Sequence, residues 1–387
     1  MLFLSAVKTG RLQLISMKKL LLCAVILGIV SARVFSAPKQ EPRNTQTSGA
    51  SAEITVRLLT DSSGIDDRSF NAAAWRGILE FYGDTWENQR RRGKVYDVVS
   101  ASTQDMYDPN IRQASDEGYD LIVTAGFTFA DVLASAAKDY PNQQYLIIDV
   151  DTVRLPNVLN VVFAEHEGSY LVGAAAALKA KADGIANPRF GFIGGIPDPV
   201  ITKFEIGFVQ GVLSILPDAE IIDYYVNDWN DPGLAKTQAK TWYDAGVYAI
   251  YSAAGNSGNG TIAQAKEYRL QGKNIWAIGS DMDMYAMGQY NDTESAVLTS
   301  MLKRVETGVR YGLAAVKNKR FSGEVITLDL AAEGVGYAAT NPALTQDIKR
   351  FLERIKQEII SGQISVAPTY TAAKKLPGFP QTLKAID

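Results

Sequence analysis

Residues 53–83, EITVRLLTDSSGIDDRSFNAAAWRGILEFYG, contain the pattern on which the fold prediction rests. A run of β-forming residues at 54–60 leads into a loop with a glycine and three aspartates, and a stretch with helical periodicity follows at 71–82. A β-rich run followed by an amphipathic helix is the repeating unit of parallel sheets that are covered by helices. This stretch therefore predicts the first strand and the first helix of an α/β domain.

The same alternation continues along the chain in two series. The first series predicts strands at 54–60, 95–100, 121–125 and 145–149, with helices at 71–82, 110–117 and 130–138. The second series predicts strands at 190–193, 220–225, 248–253 and 275–279, with helices at 169–182, 202–216, 234–245 and 261–270. Two series in tandem predict an α/β protein with two Rossmann-like parallel-sheet lobes around a central cleft.

Composition limits the classes of protein and of partner. The 387 residues are 47% hydrophobic and 21% charged, which is sufficient for two lobes with buried cores. The basic side chains are scattered and the formal net charge is −3, so we expect no nucleic acid as partner. Residues 1–37 hold five basic residues and no acid, and their removal would change the charge from −3 to −8. The mature protein would be acidic.

The N-terminal 52 residues predict export. Two lysines precede the apolar run 20–30 and small residues follow it, which is the order found in a secretory signal. This run has 11 residues, whereas a helix needs roughly 20 residues to cross a bilayer. We therefore predict a signal region at 1–37, with Met17 as an alternative start, and a flexible tether in the polar stretch 38–52.

Cys23 is the only cysteine and lies within the apolar run, so the mature protein would contain no disulfide framework. Leu20, Leu21 and Leu22 precede it, where a lipid-attachment site normally has a small residue next to the cysteine. The sequence therefore predicts an exported protein that is periplasmic or tethered to the cell membrane. It leaves a lipid anchor open.

Several polar or glycine residues directly follow predicted strands. Asp61 follows the first strand, Gly126 the third, Gly255 the strand at 248–253, and Asp281 the strand at 275–279. In open α/β sheets, ligands bind beyond the carboxyl ends of the strands. These positions therefore predict a ligand-binding cleft without the help of any motif.

Two features near these strand ends have more than one interpretation. Phe70 stands at the entry of the first helix, which Asp67 or Ser69 could cap, and it is either a platform for a flat ligand or an ordinary hydrophobic staple. The glycine-rich run 255–260 could hold a phosphate with its backbone N–H groups. A turn that brings backbone close to a ligand is favoured, because no Lys-Ser/Thr pair follows.

Asp281 closes a predicted strand, and the pattern places Lys303 at the start of a helix. Together they could hold vicinal hydroxyls of a ligand, since the carboxylate accepts hydrogen bonds and the ammonium donates them. The alternative is an ion pair on the protein surface.

His166, the only histidine, is a capping or hinge residue rather than a catalytic base, since no recognisable nucleophile accompanies it. Asp66 and Asp67 lack further ligands at metal-binding spacing, so we expect neither a metal nor a cofactor.

Six motifs in a fixed order carry a resemblance to a known family. They are DSSGIDDRSFN at 61–71, EGSYLVG at 167–173, FEIGF at 204–208, GNSGNG at 255–260, IGSD at 278–281 and TSMLK at 299–303. From about residue 53 to the C-terminus the chain resembles the basic membrane protein family, the substrate-binding components of ABC transporters, and within it most resembles the purine nucleoside receptors. The resemblance implies a type I periplasmic-binding-protein fold, in which two lobes joined by three crossovers enclose a nucleoside.

We expect the N-terminal lobe to comprise residues 53–164 and about 285–325, and the C-terminal lobe to comprise 165–284 and about 326–387. For the ligand's base, the resemblance implies that two aromatic residues sandwich it and that two polar residues face its polar edge. These residues are Phe70 with Trp229, and Asp61 with Asn71. Phenylalanine is more frequent in the family where this chain has a tryptophan, and the larger indole is still expected to stack.

For the sugar, the resemblance implies that Asp281 with Lys303 holds the ribose hydroxyls and that Gly255 lets the backbone approach them. Phe204 and Asp231 are expected nearby, without a defined role. The lipoprotein cysteine that the family has ahead of the tether is absent here.

The sequence thus predicts a monomeric receptor that captures purine nucleosides such as adenosine, guanosine and inosine and passes them to an ABC permease with its ATPase. It predicts no enzymatic activity. A sugar-binding protein of the same fold is an alternative, but it would need polar groups in place of Phe70 and Trp229. A nucleoside hydrolase is a second alternative, but it would need a nucleophile or a metal cluster.

Overall fold

The computed structural model describes residues 53–387. The predicted signal region at 1–37, the tether at 38–52 and Cys23 lie outside the described residues. Among residues 53–387, no helix combines the length and the apolar composition that a membrane crossing requires.

The strands of this part of the chain form two sheets. In chain order they are β1 (Val56–Thr60), β2 (Tyr96–Ser100), β3 (Leu121–Ala125), β4 (Tyr145–Ile148), β5 (Val158–Phe163), β6 (Arg189–Gly194), β7 (Glu220–Tyr225), β8 (Val247–Ala253), β9 (Trp276–Asp281), β10 (Val297–Lys303), β11 (Val325–Leu328) and β12 (Val335–Tyr337).

Helices alternate with most of these strands. In chain order they are α1 (Phe70–Tyr82), α2 (Tyr107–Glu117), α3 (Ala130–Asp139), α4 (Glu165–Ala182), α5 (Pro199–Ile215), α6 (Pro232–Asp244), α7 (Gly255–Leu270), α8 (Tyr285–Gly288), α9 (Val305–Lys317), α10 (Gln346–Ile360) and α11 (Tyr370–Ala373). Short 3₁₀ turns precede α1, α2 and α3.

The first lobe is built on a sheet in the order β11-β5-β4-β3-β1-β2, in which every neighbouring pair is parallel. Strands β1, β3 and β4 are buried along their whole length, and their sequences are runs of apolar residues such as LIVTA and YLII. Continuous apolar strands are typical of parallel sheets that are covered by helices on both faces. The carboxyl ends of these strands therefore meet at one edge of the lobe.

The second lobe is built on a sheet in the order β12-β10-β9-β8-β6-β7. Its pairs are parallel except for β12, which runs antiparallel to β10. The confirmed fold class is therefore α/β, with the two parallel-dominated sheets that the sequence predicts.

Helices α4 and α5 of the second lobe cross at close range because glycines line their interface. A Cβ atom on Gly207 would lie 2.3 Å from the carbonyl oxygen of His166, and one on Gly173 would lie 2.2 Å from that of Phe208. Since no larger side chain fits there, glycine permits the close crossing. The contact holds the start of α4 against α5 beneath the cleft.

Within residues 53–387 the chain crosses between the lobes three times: after β5, after β10 and after β11. The crossovers are held side by side by backbone hydrogen bonds, from Ala164 N to Leu328 O at 3.1 Å and from Arg304 N to Gly334 O at 2.8 Å. Adjacent connecting segments of this kind form a hinge about which two lobes can close on a ligand.

The lobe boundaries differ from the predicted ones. Strand β10 lies in the second sheet, although residues 285–325 were expected in the N-terminal lobe, and β11 lies in the first sheet although residues from about 326 were expected in the C-terminal lobe. Lys303 ends a strand and does not begin a helix, since α9 begins at Val305. Neither β10 nor β11 was among the predicted strands, so the sequence pattern did not indicate which sheet these segments join.

Candidate functional site

A cavity lies where the carboxyl ends of the strands of the two lobes face each other. Its unoccupied space, including its mouth, is about 590 Å³. The residues that line it are Asp61, Ser63, Asp67, Phe70, Asn71, Ala125, Gly126, Phe127, Thr128, Asp149, Ile201, Phe204, Trp229, Ala253, Gly255, Ser280, Asp281 and Lys303.

The structure brings nine of the ten candidate residues together at this cavity. These nine are Asp61, Phe70, Asn71, Gly126, Phe204, Trp229, Gly255, Asp281 and Lys303. Asp231 is placed elsewhere, because its carboxylate caps α6 by accepting a hydrogen bond from Leu234 N at 3.0 Å. Asp231 lies only two positions after Trp229 in the chain, but it caps the start of α6 and does not line the cavity.

Asp149 lines the cavity but was not among the predicted site residues. It directly follows β4, as Asp61 follows β1, so the strand-end rule could have found it. Asp149 and Asp281 stand at the ends of corresponding strands in the two lobes, and both have a positive φ of 68°. A left-handed backbone is uncommon for residues other than glycine and is more frequent at functional sites.

Aromatic side chains from both lobes line the cavity. Phe70 and Phe127 belong to the first lobe, and Trp229, in the loop between β7 and α6, belongs to the second. The rings of Phe127 and Trp229 are in edge-to-face contact, with centroids 6.1 Å apart. A Cβ atom on Gly195 would lie 2.0 Å from the indole ring, so glycine at that position makes room for Trp229.

The loop before α1 is organised by Asp67, not by Ser69. The buried Asp67 carboxylate accepts hydrogen bonds from the backbone N–H groups of Ser69 at 3.0 Å, Asn71 at 2.8 Å and Ala72 at 2.9 Å. Burial raises the pKa of Asp67 to about 7, although these hydrogen bonds act in the opposite direction. The helix entry is thereby fixed, and Phe70 and Asn71 are held at the cavity wall.

Asp61 and Asn71 form a polar pair on the wall of the first lobe. Asp61 Oδ1 accepts hydrogen bonds from Ser63 N at 2.9 Å and from Asn71 Nδ2 at 3.0 Å. Asn71 is 1% exposed, and its Oδ1 has no hydrogen-bond partner among residues 53–387. Burial raises the pKa of Asp61 above its usual value.

Lys303 is buried in the floor of the cavity and is paired with carboxylates from both lobes. Its Nζ lies 2.7 Å from Asp149 and 3.0 Å from Glu165, and it also faces the rings of Phe70 and Phe204 at just over 5 Å. Burial alone would lower the pKa of Lys303, but the carboxylates around it raise the pKa above its usual value. The expected alternative of a surface ion pair with Asp281 is therefore wrong.

The pKa values of the two carboxyl groups next to Lys303 are shifted in opposite directions. Burial raises the pKa of Asp149 to about 6 even though Lys303 opposes the shift. Burial acts in the same direction on Glu165, but Lys303 and Lys203 outweigh it and hold the pKa of Glu165 below its usual value. The cluster thus keeps its ammonium charged in a buried site.

Asp281 connects the second lobe to the first. Its carboxylate accepts a short hydrogen bond from Ser69 Oγ, and burial raises its pKa. Two other interlobe hydrogen bonds run from Ser63 Oγ to Trp229 O at 3.3 Å and from Asn259 Nδ2 to Asp67 O at 3.2 Å. The lobes therefore touch across the cleft, which is the closed arrangement.

The two remaining sequence features lie in the first turns of helices. The run 255–260 forms the first turns of α7 and is not a loop, and a Cβ atom on Gly260 would lie 1.9 Å from Pro232 O. That glycine therefore serves the packing of α7 on α6. His166 lies outside the residues that line the cavity, in the first turn of α4 next to a crossover, and burial lowers its pKa to about 4.

Two α/β lobes, three crossovers and a closed cavity at the strand ends define a type I periplasmic binding protein. The family described as "Bmp: ABC transporter substrate-binding protein PnrA-like" matches residues 54–369. The chain belongs to this family and is an ABC transporter substrate-binding protein.

Known relatives agree with this assignment. The chain is 31% identical over 358 residues to the "ABC transporter nucleoside-binding protein BmpA" of Lactococcus lactis subsp. cremoris, with coverage of 90% of this chain and 99% of the relative. A solved ABC transporter solute-binding protein from Aeropyrum pernix has 28% identity and a TM-score of 0.71, and the match covers 83% and 95% of the two chains. A periplasmic solute-binding protein from Actinobacillus succinogenes, solved with D-allose, shares the fold at 15% identity and a TM-score of 0.56, covering 75% and 99%.

Proposed function

We propose that this protein is the exported receptor of an ABC importer that binds purine nucleosides, namely adenosine, guanosine and inosine. It would deliver them as a monomer to a permease with its ATPase, either from the periplasm or while tethered to the cell membrane. The observation that carries this proposal is the pair of aromatic side chains, Phe70 and Trp229, that line one cavity from opposite lobes. A flat base between two rings gains roughly 0.5–1.5 kcal/mol per ring beyond the burial of its area.

The polar groups of the cavity fit the two ends of a nucleoside. Asp61 and Asn71 are a hydrogen-bonded pair on the first lobe, where the edge of a base can be recognised. Asp281 and the charged cluster around Lys303 supply a carboxylate and an ammonium for ribose hydroxyls. The relative named as nucleoside-binding supports the same class of ligand.

Binding would proceed by closure of the hinge. An open form admits the ligand, and contacts from both lobes stabilise the closed form. The ligand is released unchanged, since the proposed role of the site is recognition and not catalysis.

Titration calorimetry tests this function. The protein is unfolded, freed of bound small molecules and refolded, and it is then titrated with guanosine, inosine, adenosine, D-ribose and D-allose. We expect saturable binding of nucleosides and much weaker binding of both sugars. Tighter binding of a sugar than of every nucleoside would favour the sugar-binding alternative, and release of free base during the titration would favour a hydrolase.

A further inference from the structure

Asp61 and Asn71 line one wall of the cavity and carry hydrogen-bond acceptors. An amide beside a carboxylate must turn its N–H₂ group towards that carboxylate, and Asn71 Nδ2 does so at 3.0 Å from Asp61 Oδ1. The amide oxygen of Asn71 is consequently left over, buried, and without a hydrogen-bond partner in the described part of the chain. A buried acceptor of this kind favours a ligand that brings a donor.

Asp61 adds a second acceptor beside the first. The hydrogen bonds that its side chain receives from Ser63 N and Asn71 Nδ2 both end on Oδ1, which leaves Oδ2 as an acceptor. The carboxylate and the amide oxygen belong to side chains that are hydrogen-bonded to each other, so the two acceptors are neighbours. The wall therefore matches a ligand edge with two neighbouring donors.

We propose that the base selected at this wall is guanine, so that the receptor prefers guanosine among the purine nucleosides. This inference rests on the proposed function. The N1–H and the 2-amino group of guanine are adjacent donors on one edge, and the Asp61–Asn71 pair accepts from both. Hypoxanthine keeps the N1–H but lacks the amino group. Adenine has an acceptor at N1, which would face a protein acceptor.

The size of the preference follows from the burial of the pair. A site that is built to hydrogen-bond a ligand group rejects analogues without that group, because its own buried polar atoms are then left unpaired. We expect guanosine to bind about tenfold or more tighter than adenosine, with inosine between them. Each tenfold step corresponds to about 1.4 kcal/mol.

Calorimetry on the refolded, ligand-free protein with guanosine, inosine and adenosine tests the inference. The decisive variant is Asp61→Asn, which replaces a charged acceptor by an amide that can also donate to adenine N1. We expect Asp61→Asn to weaken guanosine binding by about tenfold or more and adenosine binding much less. Asp66→Asn is the matched control, because it makes the same exchange at an exposed position of the same loop, and its affinities should equal those of the wild type.

The wild-type series decides the inference even if Asp61→Asn does not fold, which the melting temperature of the unliganded variant reveals. Adenosine binding as tightly as guanosine, in the wild type, would overturn the inference and leave the nucleoside receptor intact. An unchanged ratio of guanosine to adenosine affinity in a folded Asp61→Asn protein would also overturn it. Failure to bind any nucleoside would instead overturn the proposed function.

Discussion

Lys303 is almost completely buried at the cavity, where it has a structural role. Its ammonium compensates the buried carboxylates of Asp149 in the first lobe and Glu165 in the second. Removal of one partner from a buried ion pair leaves an uncompensated charge, which destabilises a protein by about 3–5 kcal/mol. Replacement of Lys303 would therefore test stability rather than binding, and Asp281 is the better residue with which to test sugar recognition.

Asp281→Asn removes the charge but retains a side chain that tolerates the left-handed backbone at this position. If Asp281 holds the ribose, guanosine binding should weaken by roughly 1.5–3 kcal/mol, because a hydrogen bond to a charged acceptor is lost. Guanine lacks the sugar, and its affinity should change little. Calorimetry with both ligands provides the comparison, and equal losses for guanosine and guanine would show that Asp281 does not contact the sugar.

Phe70→Ala and Trp229→Ala each remove one of the two cavity rings that we propose face the base. Stacking of a base on an aromatic side chain is worth about 1–3 kcal/mol by alanine substitution, so each variant should bind guanosine correspondingly more weakly. Trp86→Ala is the control, since Trp86 is 41% exposed and lies outside the residues that line the cavity. Wild-type affinity in both ring variants would contradict the base sandwich.

Secondary-structure elements explain why part of the fold could be predicted and part could not. The prediction relied on strands that alternate with helices, and it therefore missed β5, which follows β4 without an intervening helix. It also missed β10, because only the four-residue α8 separates it from β9. Strand-end positions were predicted well, since that rule depends on local sequence. The partners of Lys303, which are Asp149 after β4 and Glu165 at the start of α4, were not predicted, because only the tertiary fold brings them together.

The close packing of α4 on α5 can be tested by a substitution at the interface of the two helices. Gly207→Ala would place a Cβ atom 2.3 Å from the backbone oxygen of His166, and backbone on both helices would have to shift. We expect a loss of about 1–3 kcal/mol in the free energy of unfolding, as overpacked sites show. Gly336→Ala, where nothing lies within 4 Å of the added Cβ, is the control. Equal stability of the two variants in urea unfolding would contradict the close packing of α4 on α5.

Buried carboxyl groups couple the stability of the whole molecule to pH. Burial raises the pKa of Glu205 to about 8, although Tyr225 donates a hydrogen bond to it at 2.6 Å, and raises that of Asp67 to about 7. The native state then binds protons that the unfolded chain has already lost, so the free energy of unfolding falls as pH rises through these values. His166, with its pKa lowered to about 4, has the opposite effect, but only below its unfolded value of 6.5.

Between pH 6.5 and 8.5 we therefore expect the free energy of unfolding to decrease, by up to about 1.4 kcal/mol per pH unit for each proton involved. Glu205→Gln should flatten this dependence, because the amide mimics the neutral acid. Glu87→Gln, at an exposed position, should leave it unchanged. Urea unfolding at three pH values measures the slope. A stability that rises over this window in the wild type would contradict the raised pKa values.

The central claim is that the two lobes close on a purine nucleoside, and competition under native mass spectrometry tests it most directly. The refolded, ligand-free protein is mixed with equal concentrations of adenosine, guanosine, inosine, D-ribose and D-allose, and the mass of the complex identifies its ligand. We predict a one-to-one complex that carries a nucleoside, with guanosine the most abundant. A complex that carries a sugar, or no complex with any nucleoside, would contradict the account.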